Sequence, residues 1–230
     1  HMSDIQSMEV RFHCPFYKID LGHEDPSKAK AADAIFRRII RLVAKAGGKY
    51  VTMHIGLGRT STEPLSWERT VDNFTRLVQH AAGQGVKICL ENLVSGWTSR
   101  PDLFEKLIRR SGAGVTVDIG HAYASESIRS HHYSFEDFVT PHPDLIFNAH
   151  VYHTEIAGVG HVPPANLGDI EDRLRLLQEI GCEWWVLEVK DQKGLLQTRK
   201  IVDEYLVQAD HQDKSPTRGG LPGFTSDSVG

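Results

Sequence analysis

The chain has 230 residues and an ordinary share of apolar and charged side chains, which suits one globular domain with a sizeable core. Its formal net charge is −4 and no dense Lys/Arg block stands out, so nothing marks it for strong binding to a nucleic-acid backbone. No apolar run reaches the roughly 18 residues of a membrane helix, and the first residues carry no secretory pattern. Cys14, Cys89 and Cys182 lie far apart, two of them inside apolar runs. They read as buried, reduced thiols of a cytoplasmic protein.

His1-Met2 looks like the scar of a cleaved tag, and residues 1–8 are set aside as an extension. A first strand is predicted over 9–14. After a loop with Pro15, Gly22 and Pro26, a helix spans 28–46, with Ile35, Ile39, Leu42, Val43 and Ala46 as its apolar stripe and Gly47-Gly48 as its stop. A second strand covers 50–55 and leads into the long loop GLGRTSTEPLS, a length often tied to function. Ser66 caps a helix over 66–82, which Gly83 and Gly85 end. The third strand, 86–91, is followed by the loop NLVSGWTSRP and by a helix over 101–110 with Pro101 in its first turn. The fourth strand is 115–118. The apolar-poor region 122–144 reads as loop with one short helix near 135–139. A fifth strand (146–152), a Gly/Pro-rich loop (157–168), a helix (169–180), a sixth strand (184–189) and a last helix (194–207) complete a domain over 9–209. Residues 210–230 read as a flexible tail.

Six βα units in alternation imply a parallel sheet. Six short apolar runs, one in each predicted strand, end on a residue able to bind a metal or move a proton: His13, His54, Glu91, Asp118, His150 and Glu188. In a barrel of parallel strands these ends converge on the face that carries the chemistry.

Three carboxylates (Glu91, Asp118, Glu188) brought to one face repel each other unless something neutralises them. A divalent cation does so, with His150 completing a mixed N/O set that suits Mn²⁺, Zn²⁺, Fe²⁺ or Co²⁺ better than Ca²⁺. Taken singly, each carboxylate is as well read as a salt bridge or a helix cap. Asp118 and His121 form a D-x-x-H unit, and His161 sits in the loop GVGHVPPANLGD. His153 lies three residues beyond His150, so the two face opposite sides if the strand continues, and His150 is the favoured ligand. His13 and His54 suit either a second metal or a substrate group. Trp97 and Arg100 are candidates to cover a bound substrate, although Trp97 could equally pack on a helix. Core packing is expected for at least one of Trp184 and Trp185.

The segments RFHCPFYKIDLG, VTMHIG, CLEN, VDIGHAY, NAHVYH, the GHVPP loop and LEV, in that order over roughly 9–207, resemble the xylose-isomerase-like TIM barrels. That superfamily holds sugar isomerases and epimerases beside AP endonucleases. The resemblance implies that Glu91, Asp118, His150 and Glu188 form a metal-binding quartet. It implies that Glu91 and Glu188 are the acid and base of an epimerase, and that His121 binds substrate. In the endonuclease branch a trinuclear zinc site also uses histidines matching His13, His54, His121 and His161, together with an Asp two residues before the last. Val159 stands at that place. Family members also begin with two further strands, so the barrel is expected to be incomplete, with its open flank covered in a homo-oligomer.

The expected activity is metal-dependent isomerisation or epimerisation of a small sugar, polyol or sugar phosphate through a metal-stabilised enediolate. The alternatives are a zinc-dependent phosphodiesterase of the AP endonuclease type and a non-catalytic relative that binds a ligand or partner. Nucleic acid and membrane are not expected partners.

Overall fold

A computed structural model describes residues 8–15, 19–56 and 61–213. In chain order the elements are β1 (Arg11–His13), α1 (Pro26–Lys45), β2 (Tyr50–Met53), α2 (Trp67–Ala82), β3 (Lys87–Glu91), α3 (Pro101–Ser111) and β4 (Gly114–Asp118). There follow α4 (Ile119–Ala124), α5 (Glu126–Arg129), β5 (Ile146–Val151), β6 (Thr154–Ile156), β7 (Gly160–Val162), α6 (Glu171–Glu179), β8 (Trp185–Leu187) and α7 (Gln192–Asp213). Six strands form one parallel sheet in the order β1-β2-β3-β4-β5-β8, an open part of a TIM-type barrel, with β1 and β8 as its outer strands.

The local signals act where the chain shows them. The Asp25 side chain caps α1 by accepting from Ser27 N at 2.8 Å, and Ser66 caps α2 by accepting from Arg69 N at 3.2 Å. Pro101 opens α3, and Gly112 closes it in the left-handed region at φ 71°. Gly48 is needed for a different reason: a Cβ there would lie 2.4 Å from the Phe12 ring.

Four expectations are corrected. The buried face of α1 is Ala29, Ala32, Phe36, Ile40 and Val43, whereas Ile35 and Leu42 are exposed. The helix docks on the stripe centred on Phe36, whose ring fills more of the core than the aliphatic row beside it. In the region 122–144 the short helix expected near 135–139 is present as a 3-10 turn, Phe135–Phe138, but the expected loop around it also holds the end of α4, all of α5 and the start of a second 3-10 turn, Pro143–Leu145. Within the expected loop after β5 lies an antiparallel hairpin, β6–β7, with Glu155 opposite His161. The last helix runs on to Asp213. Residues 214–230, and positions 57–60 of the GLGRTSTEPLS loop, lie outside the described residues.

The helices cover the outer face of the sheet, and the core joins Phe36, Phe74, Leu77, Phe104, Leu107 and Leu177 to the strands. One layer below the strand ends, the interior is polar. Thr52 Oγ1 lies 2.9 Å from Thr116 Oγ1, and Asn148 Nδ2 donates to Thr116 at 2.8 Å. At the opposite, N-terminal end of the strands, Arg11 reaches from the outer strand β1 across to β5. It donates to the Phe147 carbonyl at 3.0 Å, while its guanidinium lies 3.9 Å from the Tyr50 ring centre and 4.5 Å from that of Trp184. Trp184 is thus committed to packing, as is Trp185, which lies near Tyr205.

This places on Arg11 a tie between the first and last parts of the open sheet. Arg11→Met is expected to lower stability by about 2 kcal/mol, the sum of a partly desolvated cation–π contact and a lost hydrogen bond. Urea unfolding reads this as a lower midpoint at unchanged slope; an unchanged midpoint would remove Arg11 from the account.

Candidate metal centre

Each donor is set in place by the end of a strand. Glu91 is the last residue of β3 and Asp118 the last of β4. His150 stands in β5, in register with Asp118, and Glu188 directly follows β8. The registers are staggered, with Glu91 paired to Thr116 and His150 to Val186, and the curvature of the sheet brings the four side chains together. Their ligand atoms lie within 4.8 Å of one another, and Glu91, Asp118 and His150 are buried.

His150 Nδ1 is 2.8 Å from Glu188 Oε2, 3.2 Å from Glu91 Oε1 and 3.7 Å from Asp118 Oδ2. One ring nitrogen donates one hydrogen, so it cannot satisfy three carboxylates. Glu188 Oε2 is buried and lacks an aligned hydrogen bond even at that short distance from His150. Convergent carboxylate lone pairs with one imidazole nitrogen are the donor set of a divalent transition metal, and the residues fit such an ion.

Two more donor groups adjoin the first. The other oxygen of Glu91, Oε2, faces His13 Nε2 at 3.2 Å and His54 Nε2 at 2.9 Å. On the far side, His121 Nε2 meets Glu155 Oε2 at 2.8 Å, and His161 completes this third set. Glu91 therefore turns one oxygen to each of two groups, and His121 stands between the first and third, with Nδ1 3.1 Å from Asp118 Oδ2.

Other contacts fix the donors. Asn92 clamps the ends of β3 and β4, donating to the Asp118 carbonyl and accepting from Asp118 N, both at 2.8 Å. Asp118 Oδ1 caps α4 by accepting from His121 N at 2.7 Å. His13 Nδ1 faces the Cys14 carbonyl at 2.8 Å, and His161 Nδ1 the Glu188 carbonyl at 2.7 Å. Both histidines thereby turn the other ring nitrogen toward the cluster, as metal-binding histidines do.

The chain matches the family described as the xylose isomerase-like TIM barrel over residues 2–208. It belongs to that family. An uncharacterized protein of Methanocaldococcus jannaschii is 26% identical over 197 residues, which make up 86% of this chain and 80% of the relative. Among solved structures, a D-tagatose 3-epimerase-like protein aligns with a TM-score of 0.70 at 21% identity, covering 92% of this chain and 83% of the other. The IolI protein, solved with a zinc atom, aligns at 0.69 and 16% identity over 90% of this chain and 80% of the other. Endonuclease IV of Thermus thermophilus aligns at 0.63 and 16% identity, over 90% and 79%. At these identities the structural likeness establishes the fold.

Within this xylose isomerase-like barrel, the expected residues Glu91, Asp118, His150, Glu188, His13, His54, His121 and His161 all enter one of the three donor groups. Trp97 and Arg100 do not. Trp97 packs edge-on against Trp67 of α2, with ring centres 5.1 Å apart, and the exposed Arg100 pairs with Asp102 at 2.9 Å. His153 points away from the cluster, its Nδ1 lying 3.2 Å from the Asp169 carbonyl. Glu155 was not anticipated. The place two residues before His161 belongs to Val159, 69% exposed near the hairpin tip, and the carboxylate comes instead from the opposite strand. The signal was there in the glycines at 158 and 160 between two short runs, a hairpin pattern.

Charges in the barrel mouth sustain one another. Burial pushes the Glu91 carboxyl up, but His150, His54, His121 and His13 outweigh it and hold its pKa well below the ordinary value. Burial pulls His150 and His121 down; Glu91, Asp118 and Glu188 for the one, and Asp118, Glu155 and Glu91 for the other, hold them well above the ordinary histidine value.

In the metal-free protein Glu91 therefore contributes stability above its unfolded pKa of about 4.3 and loses it as pH falls through its lowered folded value. His150 and His121 contribute fully below about pH 6.5 and lose it as pH rises through their raised values. In EDTA, the melting temperature is expected to peak between roughly pH 4.5 and 6.5 and to decline on both sides, with a flatter profile in Glu91→Gln. A melting temperature that climbs steadily from about pH 6.5 to 9 would contradict this charge pattern.

Proposed function

We propose that the protein is a divalent-metal-dependent hydrolase of small phosphate esters that uses more than one ion. The observation that carries the proposal is the two-sided engagement of Glu91. Its Oε2 faces His13 and His54, and its Oε1 faces His150 and His121. A carboxylate shared in this way suits a bridge between adjacent cations, and several cations in one site suit in-line displacement at phosphorus.

Bound divalent ions supply Lewis acidity toward a phosphoryl oxygen and toward water. The quartet Glu91, Asp118, His150 and Glu188 would hold one, His13 and His54 with Glu91 a second, and His121, Glu155 and His161 a third. Glu188, whose side chain is 36% exposed, is the most accessible carboxylate of the quartet and would hold its ion at the solvent side. The net charge of −4 favours a small substrate over a nucleic-acid backbone.

A second reading, epimerisation of a sugar or sugar phosphate, is supported by the epimerase-like fold and by the accessible Glu188. It also needs a second carboxylate free to carry a proton. Glu91 is 1% exposed, and on this reading each of its oxygens would be engaged by a cation. On this ground hydrolysis is put ahead of epimerisation.

Zinc- or manganese-loaded protein is expected to hydrolyse p-nitrophenyl phosphate or bis(p-nitrophenyl) phosphate. His54→Ala and Glu155→Gln should each lower kcat by about 10- to 100-fold. Solvent deuterium entering a ketose from a substrate panel, without phosphate-ester cleavage and undiminished in His54→Ala, would replace this reading with the second.

A further inference from the structure

Tyr152 was not among the residues singled out from the sequence. It lies two positions beyond His150, just past the end of β5, and its side chain turns to the donor cluster, whereas His153 turns to the Asp169 carbonyl. The side chain is fully buried, yet among the described residues it stands outside the contiguous apolar core. Its surroundings are the donors themselves. The phenol donates to Asp118 Oδ2 at 3.1 Å. The ring stacks on His161, with centres 4.0 Å apart and planes 12° from parallel, and meets His121 edge-on at 6.0 Å and 90°. The fold keeps a place for it: a Cβ on Gly120 would lie 2.1 Å from the Tyr152 ring.

A buried tyrosine can be mere filling. Here each of its contacts also restricts a donor. Asp118 Oδ1 is committed to His121 N at 2.7 Å, which leaves Oδ2 as the oxygen turned to the cluster, and the Tyr152 hydroxyl fixes the rotation of that oxygen. His161 is anchored at Nδ1 by the Glu188 carbonyl but could still pivot about that bond; the stacked phenol ring holds its plane. We propose that Tyr152 is a positioning residue that sets the Asp118 carboxylate of the quartet and the His161 ring of the third donor set in one rigid unit, so that the two sets bind metal as a coupled pair.

This rests on the metal-centre reading, and the experiment separates the two. Metal-free wild-type protein and Tyr152→Phe are titrated with Co²⁺, following the visible absorption bands, with thermal melting of both metal-free proteins and of a core variant of matched stability, Phe104→Leu. Tyr152→Phe keeps the ring and loses the hydroxyl. It should remain folded, bind Co²⁺ about 10- to 100-fold more weakly, and show shifted bands. Phe104→Leu should leave affinity and bands unchanged, since lost packing alone does not alter the ligand field. If Tyr152→Phe does not fold, uniform 3-fluorotyrosine labelling makes the phenol more acidic at nearly constant shape, and the bands should then shift relative to unlabelled protein. Unchanged affinity and bands in Tyr152→Phe, or unchanged bands in the labelled protein, overturn the role of Tyr152 while leaving the metal centre intact. A wild type that binds no Co²⁺ overturns both.

Discussion

Taking an ionised carboxylate out of water costs several kcal/mol unless nearby charge and hydrogen bonds compensate. Glu91 meets that cost at the end of β3, 1% exposed, with imidazole nitrogens from His13, His54, His121 and His150 around its two oxygens. Those histidines come from three other strands and one helix. Only a parallel sheet curved enough to bring its strand ends together can deliver them. The curvature of the barrel is thus what surrounds Glu91 with the charge that offsets its burial.

The layers beneath the cluster show how the fold supports it. The Thr52–Thr116–Asn148 network ties β2, β4 and β5 across the interior and the Asn92 clamp ties β3 to β4, close to the site, where a slip of one residue would turn a strand's donor to the wrong face. Arg11 joins β1 to β5 at the other end of the strands. The open stretch between β1 and β8 is thereby braced from within, while the mouth is free to carry charge.

Much of this was legible in the chain. The apolar runs and the residues that end them pointed to the parallel sheet, and with His121 and His161 they supplied every donor except Glu155, because strand burial and strand-end placement are local features. Glu155 escaped because its position depends on a three-residue strand pairing across a glycine turn, which an expected loop concealed. Tyr152 escaped because a tyrosine in an apolar run looks like core; only its neighbours in space show otherwise. The expected stripe of α1 shares Val43 with the buried face but is centred beside Phe36, since Ile35 and Leu42 fit the helical period nearly as well and packing alone decides between them. The expectation that Trp97 and Arg100 cover the site was drawn from their loop, and neither residue reaches the donors.

The fold, the cluster and the proposed chemistry meet in one claim, that Glu91 is shared between adjacent cations. Crystals grown with zinc and measured on both sides of the zinc absorption edge test it most directly. The account predicts at least two anomalous peaks at the strand ends, one on each side of the Glu91 carboxylate, about 3.5–4 Å apart. A single peak within the quartet, with His13 and His54 still hydrogen-bonded to Glu91, would contradict it.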